Sequence, residues 1–331
     1  MAKIEIFVFI PMPENEFHTK DEIYRVRLYE MIDQLCDLNG KLDYIYDKKI
    51  ITNINISLLD DNERRAEKLT VNDKLYTKNC EVLRFSVEFF DKKSEIEYID
   101  RAAVLYLEKT IQEIFIIANF SILGSIEYNY TLVFLNNEIT NIKLTRMDVW
   151  PLQRAFELTQ KIGWPKTIDI DFYSAWNWFK KHDEYIDGFI NNRTSRAINA
   201  FSRMISFNQF ECDESMCLLW SLIGIEALYV EGKSSIMEQV REKIFTIFGE
   251  PITHKKIISK MYNFRSRFIH GDIDFPGFGY FGDASDKFIK YSDEQFETIN
   301  IAVAILGSSL QYIIKNNWSG IKFEYNVSDR I

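Results

Sequence analysis

The sequence predicts an α+β N-terminal region followed by an all-α helical bundle, and three features of its patterning lead there. Before residue 150, short apolar or alternating runs end in turn-forming residues, the mark of strands. After Pro165, apolar positions recur at helical spacing over long stretches, with Gly232, Gly249-Glu250-Pro251 and Gly271 as stops. Hydrophobic residues make up 47% of the 331 and charged residues 27%, which excludes a disordered chain and provides for a packed core.

In the first half, Ile4 to Ile10 is an apolar run stopped by Pro11 and reads as a buried strand. Residues 42–58 alternate about Asp47-Lys48-Lys49 as a hairpin, and residues 81–90 alternate as a further strand. A long amphipathic helix is predicted over 97–120. Tyr128–Leu135 and Ile139–Leu144 flank Asn136-Asn137-Glu138 as a second hairpin. The expectation is several strands around one helix, with no nameable catalytic motif. Its tyrosines either fill the core or line a binding face, and the core is the expected place.

In the second half, helices are predicted over 171–189, 193–207, 213–231, 234–248, 252–269 and 292–316. The change of character falls within 150–170, marked by Trp150-Pro151 and Trp164-Pro165. This gives a strand-rich domain over residues 1–160, whose role the sequence does not reveal, a helical domain over 165–318 and a C-terminal tail over 319–331.

A formal charge of −9 excludes a broadly cationic nucleic-acid binder, so any nucleic-acid contact must be local. From Asp171 onward, 18 Lys+Arg face 21 Asp+Glu, a near balance that places most of the acidity upstream. Cys36, Cys80, Cys212 and Cys217 form no C-x-x-C and no zinc-spaced His/Cys cluster; no metal or cofactor is expected, and the thiols read as free or buried in a reducing cytosol. The opening apolar run is short, broken by Glu5 and without a cleavage site, so it does not read as a signal peptide. The apolar stretch Ala102–Ile122 carries Glu108, Lys109 and Glu113, which argues against a membrane span. A soluble, cytoplasmic protein is expected.

Two features of the helical half carry chemistry. The run Leu218 to Val230 is apolar nearly all round and reads as the central, buried helix, with Glu226 its one charge. Glu226 shares a side with Leu219 and Ile223, so it is expected to point inward. A buried carboxylate must find a partner or hold a proton. It either pairs with an arginine to hold helices together or positions a catalytic group. The second feature is Tyr262 to Asp272, which closes one helix and opens a loop, with Gly271 as the C′ residue. An imidazole at a helix terminus with arginines close by makes His270 a candidate for general acid–base work.

Arg265-x4-His270-Gly271 at the end of a bundle helix resembles the R-x(4–6)-H signature of HEPN domains. Ile225-Glu226-Ala227-Leu228 resembles the helix that precedes the signature in the ApeA-like branch, as do the Arg265-Ser266 and His270-Gly271 pairs. The resemblance covers residues 165–318. It implies a HEPN-like helical bundle and a metal-independent endoribonuclease acting as a homodimer, with two signatures facing each other. Arg265 would hold the scissile phosphate and His270 would serve as general acid or base, yielding a 2′,3′-cyclic phosphate and a 5′-hydroxyl. Glu226 and Ser266 would support them. The relatives suggest a toxin or antiphage defence setting.

The chain departs from the pattern in carrying Ser266 where active members often have Asn, Asp or His, and Asp272 where some toxins have a modified tyrosine. On a straight helix Arg265 and His270 lie about 140° apart, whereas Ser266 and His270 share a face. Convergence therefore calls on the long arginine side chain, a loosened last turn or a partner subunit. Arg267 reads as a solvated or RNA-facing charge. In the long loop 271–291, Phe275, Phe278, Tyr280 and Phe281 either stack on unpaired RNA bases or pack against protein. His18, His182 and His254 read as surface residues.

Three functions fit these residues. The first is a HEPN ribonuclease acting on RNA, with the N-terminal domain sensing a trigger or regulatory partner. The second is a catalytically inactive HEPN dimerisation or scaffold module whose N-terminal domain binds the ligand. The third is a small-molecule or nucleotide binder using Arg265 and Arg267 as an anion site.

Overall fold

A computed structural model describes residues 2–12, 19–46, 49–60, 62–63, 80–89, 101–128, 130–140, 146–182, 185, 192–207, 214–274 and 285–324. The chain forms two compact units. The first comprises Met1–Val149, Asp169–Asn177 and Ile205–Glu211; the second comprises Trp150–Ile168, Trp178–Met204 and Cys212–Ile331.

The first unit is built on an antiparallel sheet of six strands: β1 (Ala2–Pro11), β2 (Leu42–Tyr46), β3 (Lys49–Leu58), β4 (Cys80–Phe89), β5 (Tyr130–Leu135) and β6 (Glu138–Ile139). Their order is β2-β3-β4-β1-β5-β6. β1 lies inside the sheet, with Ile6 opposite Phe85 on β4 and Val133 on β5. Both faces of β1 are buried, which is why it reads as a continuous apolar run rather than an alternation. One face carries Phe7, Phe9, Val82, Leu132 and Phe134 as a cluster, with Phe7 and Phe134 packed edge to face at 5.1 Å. The other face carries Ile4, Ile6, Val8 and Phe85, and Phe85 meets Phe115 of helix α2 (Arg101–Ser121) at 6.2 Å. The β5–β6 turn is made by Asn136 (φ 51°) and Asn137 (φ 69°), the left-handed pair a two-residue hairpin requires.

Strands stand where the runs 4–10, 42–58, 81–90 and 128–135 predicted them, while of the run 139–144 only Ile139 is seen in a strand and residues 141–144 lie outside the described residues. The single expected helix is joined by another, α1 (Thr19–Cys36). Leu28, Met31, Ile32 and Leu35 of α1 are buried at helical spacing. A short strand pair, β7 (Arg146–Met147) with β8 (Ser206–Phe207), also interrupts the expected run of helices alone.

The second unit is mostly helical. Helix α3 (Trp150–Ile162) lies where the sequence marked a change of character. Its Pro151 sits in the first turn, where the missing N–H costs nothing. The others are α4 (Phe172–Lys181), which begins in the first unit, then α5 (Arg193–Ile205), α6 (Glu214–Tyr229), α7 (Ile236–Phe248), α8 (Ile257–His270) and α9 (Asp286–Lys315). α9 is buried from Thr298 to Leu310 except at Asn300, and it packs on α3 and α6. By length and composition it is the one candidate membrane span among the described residues, and 83% of its apolar window is buried in the fold.

α9, rather than α6, is thus the central helix. α6 turns Leu218, Leu222, Ile225 and Leu228 inward, and at Gly224 an added Cβ would lie 2.7 Å from the Leu306 side chain of α9. The Tyr229 hydroxyl and Ser309 Oγ of α9 are 2.6 Å apart at the end of this contact. The opposite stripe of α6 faces out, with Met216 36%, Leu219 40% and Ile223 40% exposed. The periodicity placed Glu226 with Leu219 and Ile223 as expected, but on the outward side.

Candidate functional site

α8 carries the signature residues. It remains helical through His270 and ends in a Schellman closure, with Gly271 at φ 76°. Asp272 N–H donates to the Arg267 carbonyl at 2.8 Å and Gly271 N–H to the Phe268 carbonyl at 3.3 Å. The predicted C′ glycine is therefore where the turn requires one. Because the last turn stays helical, Arg265 and His270 diverge around the helix by about 140°. His270 and Ser266 are both exposed, on the shared face expected for residues four apart.

Arg265 faces α6. Its Nη2 lies 3.3 Å from Glu226 Oε1, with the two side chains 31% and 25% exposed. Burial pushes the Glu226 carboxyl above its ordinary range, while the Arg265 charge and the Tyr262 hydroxyl pull it back. Tyr262, one turn before Arg265, is only 7% exposed, and burial together with the Glu226 charge pushes its hydroxyl up. Glu226 Oε1, Tyr262 Oη and Arg265 Nε are all buried atoms without a fully formed hydrogen bond. The structure therefore brings Glu226 and Arg265 together, adds Tyr262, and leaves His270 apart from them. The i, i+3 spacing of Tyr262 and Arg265 was the available signal for Tyr262.

Exposed apolar residues flank this cluster. Met216, Leu219 and Ile223 lead along α6 to Glu226, and Ile269, one turn beyond Arg265 on α8, is 53% exposed. Arg267 points to another side of α8. It accepts no free role there: Nε donates to Asn263 Oδ1 at 2.9 Å and Nη2 pairs with Glu294 of α9. This pair lies in an α8–α9 groove of about 790 Å³, floored by Ile257, Met261 and Ile301. Its rim sets the carboxylates of Asp286, Asp293, Glu294 and Glu297 against Lys260, Arg267 and Lys290. Such a rim gives a phosphate backbone no net attraction.

Phe278 and Tyr280, with Phe275, Phe281, His18 and Cys212, lie outside the described residues. His182, expected at the surface, is half-buried between the rings of Trp178 at 4.7 Å and Tyr185 at 5.0 Å. His254 is exposed as expected. Cys36, Cys80 and Cys217 are unbridged. Among the described residues, no group of three or more His, Cys, Asp and Glu is placed to hold a metal ion.

Fold and geometry together give a mostly helical unit with an arginine-carboxylate-tyrosine cluster and, on another face of α8, an exposed histidine. No family model matches the chain, and neither a curated protein nor a solved structure matches it.

Proposed function

We propose that the chain is a HEPN-type, metal-independent endoribonuclease acting as a homodimer, in a toxin or antiphage defence role. The observation that carries this reading is the pairing of an exposed His270 at a capped helix end with an apolar stripe on the two helices that bear the signature. Exposed leucine, isoleucine and methionine side chains in a row would serve as the association surface. Two copies meeting there would bring the Arg265 of one toward the His270 of the other, which a single α8 keeps apart. Arg265 would then neutralise the scissile phosphate. His270, as base, would take the 2′-hydroxyl proton; the 2′-oxygen attacks phosphorus and the 5′-oxygen leaves, protonated by an imidazolium. Ser266, on the His270 face, would contact the same nucleotide. The sheet-bearing unit would sense the trigger or a regulatory partner.

The test is cleavage of single-stranded and transfer RNA, with and without EDTA, by the wild type and His270→Ala. EDTA-resistant cutting that the substitution abolishes is expected. Cutting that survives in His270→Ala sinks the assignment.

One observation favours a second reading, an inactive HEPN dimerisation module: the signature arginine is already engaged by Glu226. Under it, light scattering finds a dimer, while the folded protein cuts no RNA.

A further inference from the structure

Glu226 Oε1, Tyr262 Oη and Arg265 Nε are three buried polar atoms of one small cluster in which none makes a well-formed hydrogen bond, although Glu226 faces both Arg265 and Tyr262. Buried polar groups in folded proteins are nearly always hydrogen-bonded, so a cluster of three exceptions asks for a group that completes it. The Glu226–Arg265 contact at 3.3 Å is longer than the 2.7–2.9 Å of a tight charge-assisted bond, about half an ångström short of full engagement. Arg265 is 31% exposed, so its guanidinium can be approached from solvent. Tyr262 is 7% exposed and its hydroxyl faces Glu226.

A carboxylate and a phosphodiester offer a guanidinium the same pair of oxygens, so they compete for it. We propose that Glu226 is a built-in competitor for Arg265, and that Tyr262 is the positioning residue that holds Glu226 aside when an oxyanion of the phosphodiester class binds. This rests on the reading of Arg265 as the phosphate-binding residue. With no oxyanion bound, Glu226 neutralises Arg265. With one bound, the two anions must separate, and the Tyr262 hydroxyl donates to the carboxylate that has lost its cation. The hydroxyl is uncharged and buried, so it can stabilise the displaced carboxylate without competing for the phosphate.

The experiment is fluorescence-anisotropy binding of a 2′-O-methylated single-stranded oligoribonucleotide, which offers phosphodiesters but no attacking hydroxyl. Wild type is compared with Glu226→Gln, Tyr262→Phe, the double variant and Arg265→Ala, with cleavage of ordinary RNA measured in parallel. Circular dichroism checks that each remains folded. Glu226→Gln is expected to bind about tenfold more tightly, since it removes the competing charge and keeps the shape. Tyr262→Phe is expected to bind about threefold more weakly, and the double variant to match Glu226→Gln, because Tyr262 then has no anion to hold. Arg265→Ala should bind more weakly than any of the other four. A merely structural cluster would weaken binding in every variant; that result, an unimproved Glu226→Gln, or no binding by any of the five proteins overturns the proposal. The expected binding order without cleavage by any of them would sink the nuclease reading alone. Cleavage by the wild type with an unimproved Glu226→Gln would sink the competitor alone.

Discussion

Replacing Glu127 with Gln should make the protein more stable at pH 8 and leave it nearly unchanged below pH 5. Glu127 follows α2 and is pinned by the neighbouring Tyr128–Met147 bridge, whose two backbone hydrogen bonds are 3.2 and 2.8 Å long. Burial, chiefly, and the nearby Asp148 push its carboxyl from 4.5 up to about 7, although Oε2 accepts the Val149 N–H at 3.1 Å and opposes the rise. In the folded state the group therefore keeps its proton over a range in which the unfolded chain has lost it. Below 4.5 both states are protonated and nothing is lost. Between 4.5 and 7 the unfolded state binds fewer protons, so stability falls as pH rises. At about 1.4 kcal/mol per pH unit, the full loss is about 3 kcal/mol, reached above pH 7. Glutamine keeps an acceptor for Val149 N–H and has no proton to lose. Urea unfolding of wild type and Glu127→Gln at pH 5, 6, 7 and 8 gives the difference curve. Taking the difference cancels other raised groups such as Glu226 and Cys36, which both proteins retain. A variant advantage growing by about 2–3 kcal/mol from pH 5 to pH 8 is expected. A flat difference, or one that shrinks as pH rises, refutes the argument.

Two further outcomes follow from packing. Gly224→Ala places a methyl 2.7 Å from Leu306 at the closest approach of α6 and α9, so thermal unfolding should show a loss of about 1–3 kcal/mol, and an unchanged melting temperature would contradict the contact. Leu219→Glu puts a charge on the exposed stripe of α6, where it should cost about 1 kcal/mol or less in folding but convert a dimer to monomers by light scattering and abolish RNA cleavage. A variant that remains dimeric would place the association surface elsewhere.

Much of the fold was legible because its signals are local. β1, β4 and the Asn136-Asn137 turn follow from burial pattern and backbone preference, both carried by consecutive residues. The helices missed were missed for identifiable reasons. Leu28, Met31, Ile32 and Leu35 hold helical spacing, but Arg25, Arg27, Glu30 and Asp33 dilute the pattern of α1. Trp150-Pro151 looks like a break, yet proline is tolerated in a first helical turn. The β7–β8 pair has two residues per strand, too few for any period to show.

The candidate site shows where local signals end. Helical spacing assigned Leu219, Ile223 and Glu226 to one face of α6 but held no information on which side that face looks, because the other stripe is just as apolar. Gly224 decides it: the side without a side chain is the one that admits α9, and the stripe bearing Glu226 is left outward. An inward Glu226 would have been a helix-to-helix tie sealed from solvent. An outward one, at 25% exposure beside Arg265, remains within reach of an anion arriving from solution. Partly open, the carboxylate can be displaced from Arg265 without being driven into the core, and that exchange is what the Glu226→Gln and Tyr262→Phe pair would report.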